Sequence, residues 1–271
     1  MDCLSPIFVK VRDGPSLFTY QKVPCGRCEA CVRRKQETWF TRLRIEADSQ
    51  YYANFVTLTY DNEHLPSDWS VNKSDVQLFH KRLRACLDHP ETFKYYLTSE
   101  YGPEGGRPHY HAIYFGIAPH ELFKIEKCWQ NGFVTIDEIT DGRLRYVTGY
   151  IIEKLFVPDG REPVFNLISK GLGKSYIDSH KSWHNDLPIT ERAYIPYHGQ
   201  KLALPRYYKE KLYSSGKRKA YASLMAKNAE EREHEFREKM GDDNYFSIVN
   251  SRIGEFVRKV HKIHKKKKTQ F

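Results

Sequence analysis

Two short stretches limit what this chain can fold into more than anything else in it: Arg107-Pro-His-Tyr-His-Ala-Ile-Tyr-Phe115 and, further on, Tyr146-Val-Thr-Gly-Tyr-Ile-Ile-Glu-Lys154. The first is dense in aromatic residues and reads as a strand. Alternate side chains of a strand share a face, so His109 and His111 project together and Tyr110 projects the other way. The second reads as a helix, where residues four apart are neighbours, so Tyr146, Tyr150 and Lys154 form one stripe of two phenols and an ammonium. A core has no use for that stripe. Two imidazoles side by side can grip one divalent cation. A phenol, with an ordinary pKa of about 10, becomes a nucleophile at neutral pH when a nearby cation favours its phenolate. Metal, phenolate and ammonium together suit attack on a phosphodiester.

The surrounding sequence supplies a scaffold. Residues 52–60, rich in β-branched and aromatic side chains, predict a strand that Asp61-Asn62 ends. Asn72 or Ser74 can cap a helix carrying Val76, Leu78, Phe79, Leu83 and Leu87. Residues 93–99 predict a strand that the turn Gly102-Pro-Glu-Gly-Gly106 returns antiparallel onto 109–115. Glu100, at the end of that strand, completes a candidate site of two histidines and one carboxylate, a donor set that suits Mn²⁺ or Mg²⁺ for phosphate chemistry. A helix over 33–49, a short helix over 119–127, a strand over 132–136 and the tyrosine helix over 143–155 complete the pattern. The expected class is α+β, with a central antiparallel sheet flanked by helices.

Both ends differ from this core. Residues 1–35 read as an irregular, cysteine-bearing arm with Gly14, Pro15 and Pro24-Cys-Gly26 as turn signals. Cys25, Cys28 and Cys31 offer three closely spaced thiolates and Cys3 a fourth, a candidate structural Zn²⁺ site, whereas Cys86 and Cys128 read as packing residues. The N-terminus lacks a signal-peptide pattern, so a reducing compartment is expected. Residues 157–213 hold many turn formers and the run Leu204-Pro-Arg-Tyr-Tyr-Lys209; residues 214–271 are charged, helical over 217–234, and end in His261-Lys-Ile-His-Lys-Lys-Lys-Lys268. The expected segments are thus 1–35, 36–156, 157–213 and 214–271. Gly171-Leu-Gly-Lys-Ser175 imitates a phosphate loop, but Ile168 stands where that pattern needs glycine, which excludes a nucleotide-hydrolysing site.

Charge narrows the partner. Lys+Arg 44 against Asp+Glu 34 gives a formal +10, and no apolar run approaches the ~18 residues that span a bilayer. A nucleic acid is favoured over a membrane. Tyr 19, Phe 15 and Trp 4 provide rings on which unpaired bases can stack.

His109-Tyr-His111, the upstream Thr57-Leu-Thr-Tyr60 and the downstream Tyr146-xxx-Tyr150-xxx-Lys154 together resemble the HUH-type rolling-circle replication initiators. The likeness is greatest to those of microviruses, the small single-stranded DNA phages, in particular the gokushovirus branch. Pro24-Cys-Gly-Arg-Cys-Glu-Ala-Cys31, Trp39, Ser99-Glu-Tyr-Gly102, Arg107-Pro108 and Leu204-Pro-Arg-Tyr-Tyr208 extend it. The resemblance implies a metal-dependent single-strand endonuclease and ligase, with His109, His111 and Glu100 as metal ligands and Tyr146 and Tyr150 as nucleophiles. One tyrosine would form a 5′-phosphotyrosine and free a priming 3′-hydroxyl; the other would cut the regenerated origin so that the genome can be rejoined. Lys154 would stabilise a phenolate or leaving oxygen. The implied partners are single-stranded DNA at a phage replication origin and a host helicase and DNA polymerase, in the cytoplasm of a bacterial host. Two rival readings differ in outcome: a relaxase or transposase would nick another DNA, and a non-catalytic single-stranded DNA-binding protein would not cleave.

Overall fold

The computed structural model describes residues 3–12, 17–102, 106–149 and 160–268. The chain opens with an antiparallel hairpin of β1 (Ile7–Arg12) and β2 (Phe18–Val23), followed by the long helix α1 (Glu29–Ser49). Then come β3 (Ala53–Tyr60), α2 (Lys73–Cys86), β4 (Lys94–Tyr101), β5 (Pro108–Phe115), α3 (Phe123–Cys128), β6 (Gly132–Glu138), α4 (Asp141–Gly149) and β7 (Asn166–Ile168). These five strands form one antiparallel sheet in the order β6-β3-β5-β4-β7. β5 is therefore central, with strands paired on both sides. Asn72 caps α2, its side-chain oxygen accepting from the amides of Ser74 at 2.9 Å and Asp75 at 3.3 Å.

The pleat sorts the core onto two faces. Val56, Leu58 and Tyr60 of β3, Leu97 of β4 and Tyr110, Ala112 and Tyr114 of β5 pack with Val76, Phe79 and Leu83 of α2 and with Ile125, Cys128 and Trp129. On the opposite face Phe55, Tyr96, Ile113 and Phe115 pack with Phe40 and Leu43 of α1 and Leu144 and Val147 of α4. Burying each such side chain is worth about 1.5–3 kcal/mol. The result is the expected helix-flanked antiparallel sheet.

Beyond the sheet, α5 (Ser175–Asn185), α6 (Ile189–Arg192), the hairpin β8 (Tyr194–Tyr197) and β9 (Gln200–Ala203), and α7 (Arg206–Leu212) gather a smaller core of Tyr176, Ile177, Ile195, Leu204, Tyr208 and Leu212. The imitation phosphate loop serves to tie this unit to α1. The buried Glu46 carboxylate accepts from the Gly173 amide at 2.6 Å and from the Lys94 ammonium at 2.7 Å, and Arg42 donates to the Leu172 carbonyl at 3.0 Å. Two long helices, α8 (Ser215–Met240) and α9 (Asp242–Lys268), end the described chain. α8 buries no residue, and α9 inserts Phe256 beside Val32 of α1.

The N-terminal segment differs from expectation. It carries a regular β-hairpin, and α1 begins at Glu29, four residues before the sequence reading places it. Turn signals at Gly14-Pro15 punctuate the hairpin's ends and hide the period-two pattern on either side.

Candidate active site

The two faces of the sheet decide where the chemistry can lie. His109 and His111 share the face of Ile113 and Phe115, the one on which α1 and α4 pack, and Thr57 and Glu100 sit on that face of the neighbouring strands. Apolar residues fill one end of this face; Thr57, Thr98, Glu100, His109 and His111 occupy the other. The register explains the grouping: on β5, His109 pairs with Glu100 of β4, and His111 lies between Thr57 of β3 and Thr98 of β4.

Each imidazole is oriented by a neighbour. His109 donates from Nδ1 to the Arg107 carbonyl at 2.7 Å, which leaves Nε2 as its lone-pair nitrogen. His111 has Nδ1 3.0 Å from Thr57 Oγ1 and Nε2 3.0 Å from Glu100 Oε2. The rings are stacked with centroids 6.4 Å apart and planes 4° from parallel. Burial, more than any other influence, lowers the pKa of His109, and the neutral ring is the form that binds metal. Glu100 and His111 are themselves buried. Two nitrogen donors and a carboxylate fit a divalent cation, with Thr57 and the Arg107 carbonyl as outer partners that fix ring orientation.

Gly102 is a site residue that sequence reasoning undervalued. Its amide donates to the Arg107 carbonyl at 2.9 Å, and a Cβ built on it would stand 2.7 Å from His109 Cε1. The imidazole occupies space that only glycine leaves open.

Tyr146 approaches from α4. Leu144 and Val147 anchor that helix in the core while Tyr146 stays half exposed, its ring edge-on to His111 at 5.3 Å and 6.3 Å from Phe55. Tyr150 and Lys154 lie outside the described residues. The structure thus brings together Glu100, His109, His111 and Tyr146 at one end of one sheet face.

Among the described residues, two groups of three or more donors lie within 4.8 Å of one another, and the histidine pair with Glu100 is not among them. One group is Asp88, His120 and Glu121, across which Lys124 reaches with ion pairs of 2.7 and 3.0 Å. The other is Cys3, Cys25, Cys28 and Cys31, which could hold a metal ion. The hairpin explains how a ligand so distant in sequence as Cys3 returns, because β1 and β2 bring residues 3 and 25 to the same end. Cys25 Sγ accepts from the amides of Arg27 at 3.4 Å and Cys28 at 3.3 Å, while the Cys25 amide donates to Cys3 Sγ at 3.3 Å. Burial pushes the Cys25 thiol up, but those amides and the Cys3 and Cys28 thiols outweigh it and bring its pKa to about 6. Burial and the neighbouring sulfurs push Cys31 up to about 12.

Residues 53–155 match the family model of the replication-associated protein ORF2. The chain is 29% identical over 220 residues to the Replication-associated protein ORF4 of Chlamydia phage 1, covering 70% of this chain and 53% of that protein. It is 31% identical over 185 residues to the Replication-associated protein ORF2 of Spiroplasma virus 4, covering 59% and 58%. It is 27% identical over 248 residues to the Replication-associated protein VP4 of Bdellovibrio phage phiMH2K, covering 78% and 76%. The chain therefore spans little more than half the length of the first two. No solved structure matches it.

Proposed function

We propose that this chain, a relative of the replication-associated proteins of small phages, initiates replication by nicking single-stranded DNA at a phage origin and later rejoining the strand. His109, His111 and Glu100 would hold Mn²⁺ or Mg²⁺, which when bound offsets negative charge on the scissile phosphate. The Tyr146 oxygen attacks phosphorus; the new bond is a 5′-phosphotyrosine, the bond to the 3′ oxygen breaks, and that oxygen leaves with a proton as a 3′-hydroxyl. Tyr150 is the second nucleophile, able to cut a regenerated origin while the first 5′ end is still held, and the newly released 3′-hydroxyl then attacks the first phosphotyrosine. Lys154 is assigned the stabilisation of a phenolate or leaving oxygen. The four cysteines are assigned a structural Zn²⁺. Such an enzyme would work in the cytoplasm of a bacterial host and depend on a host helicase and DNA polymerase.

The observation that carries this reading is the edge-on contact of Tyr146 with His111 at 5.3 Å, on the sheet face that also bears Glu100 and His109. A phenol beside a candidate metal site, half exposed to an incoming strand, is suited to phosphoryl transfer and unnecessary for packing. The test is a labelled single-stranded oligonucleotide bearing the candidate origin, incubated with and without Mn²⁺ and resolved in SDS. A metal-dependent covalent adduct is expected, abolished when Tyr146→Phe and Tyr150→Phe are combined. An adduct that persists in the double variant would remove the nucleophile assignment; tight binding with no adduct under any metal would leave a DNA-binding protein.

A further inference from the structure

The β1–β2 hairpin has a face that the fold does not use. Register pairs Phe8 with Lys22, Lys10 with Tyr20 and Arg12 with Phe18. By alternation all six side chains stand on one face, and every cross-strand pair joins one aromatic ring to one cation. The rings are strongly exposed, Phe8 at 68%, Phe18 at 51% and Tyr20 at 70%. Alternate residues along a strand stand about 7 Å apart, so the rings form a stepped track of Phe8, Tyr20 and Phe18 with a cation beside each. Lys10 already lies over the Phe18 ring, 4.2 Å from its centroid. Ile7, Val9, Val11 and Val23 belong to the opposite face.

We propose that this face is a binding platform for single-stranded nucleic acid, with bases stacking on Phe8, Tyr20 and Phe18 and phosphates meeting Lys10, Arg12 and Lys22. Three features argue for that occupant. Exposed rings offer stacking to any base, whatever the sequence. The alternating cations match a polyanion whose charges recur along its length. The same cations interrupt the rings, so no continuous apolar patch exists to enter a lipid bilayer. Lys22 also pairs with Glu233 of α8 at 3.1 Å. An exposed pair of this kind contributes little and yields readily to a phosphate.

This platform is separate from the residues assigned to strand cleavage, so it stands or falls on binding alone. The full-length protein is titrated into fluorescein-labelled oligo-dT in EDTA, where metal-dependent cleavage does not operate, and anisotropy is read. Combining Phe8→Ala with Tyr20→Ala is expected to weaken binding at least about tenfold, with an unchanged thermal melt because both rings are exposed. In a second measurement, Tyr20→Trp is expected to show fluorescence quenching by oligo-dT beyond that of the four native tryptophans. Affinity of the double variant within about twofold of the parent, or no added quenching in Tyr20→Trp, overturns the proposal. So does binding to phosphatidylglycerol vesicles that the double variant loses while its oligo-dT affinity holds.

Discussion

The Gly102 backbone lies so close to the His109 imidazole that a single methyl group at residue 102 would sit 2.7 Å from Cε1. No such contact is tolerated, so either the ring or the turn must move. Gly102→Ala is expected to weaken Mn²⁺ binding by about tenfold to a hundredfold, the usual cost of disturbing a ligand's support, while far-ultraviolet circular dichroism stays unchanged. Isothermal titration with Mn²⁺ measures it. An unaltered affinity would take His109 out of the proposed ligand set.

Thr57 tests the other imidazole. Its hydroxyl stands 3.0 Å from His111 Nδ1 across the β3–β5 pair, and Thr57→Val removes that oxygen while keeping side-chain size and strand preference. Metal affinity is expected to fall by about tenfold or more, and Thr57→Ser, which retains the hydroxyl, is expected to restore most of it. Equal losses in both variants would point to packing.

His80 predicts an acid limit to stability. Burial, with the Arg84 charge as a smaller cause, lowers its pKa from 6.5 to about 3. Its ring stacks on Tyr95 at 3.9 Å, Nε2 is 3.0 Å from the Tyr114 hydroxyl, and Nδ1 has no partner. Because the folded value is depressed, the unfolded chain binds the extra proton first. The stabilisation is therefore complete above pH 6.5 and is lost as pH falls from 6.5 towards 3, amounting to a few kcal/mol. Urea midpoints measured across that range are expected to fall less steeply in His80→Gln than in the parent; identical slopes would show that His80 does not govern acid unfolding.

The cysteine cluster predicts both a metal and a reactivity. With its pKa near 6, Cys25 is largely thiolate at neutral pH and is expected to be the thiol alkylated fastest by iodoacetamide once metal is stripped, as mass spectrometry of digests would reveal. Added Zn²⁺ is expected to protect it, and Cys25→Ser to lower both retained zinc and thermal stability. Alkylation at the same rate with and without Zn²⁺ would argue against a site there.

The central sheet was legible because its signals agree. β3, β4 and β5 are dense in aromatic and β-branched residues and closed by strong turns, and the alternation that puts His109 and His111 on one face also puts Tyr110 into the α2 core. Other elements gave weaker signals. β7 has three residues at the sheet edge, too few for a period. In β1 the apolar residues alternate with Phe8, Lys10 and Arg12, so both faces carry bulk and neither reads as core. α9 holds Phe256 and Val260 at helical spacing, but the surrounding charge and the lysine run masked that stripe. The supports of the histidines are backbone and hydroxyl groups, at Arg107, Thr57 and Gly102, whose role depends on register rather than residue type.

One feature of the sheet separates two properties that evolution could adjust independently. Glu100, His109 and His111 all belong to the single β4–β5 hairpin, whereas Tyr146 comes from a helix attached through β6 at the far edge. The groups assigned to the cation thus travel as one inherited unit of local chain, and the attacking side chains are delivered by another. A lineage could exchange the number or spacing of its tyrosines while leaving cation affinity untouched, or retune the ion without disturbing the nucleophile. In engineering terms, the hairpin is a transplantable part and the helix an interchangeable tool head.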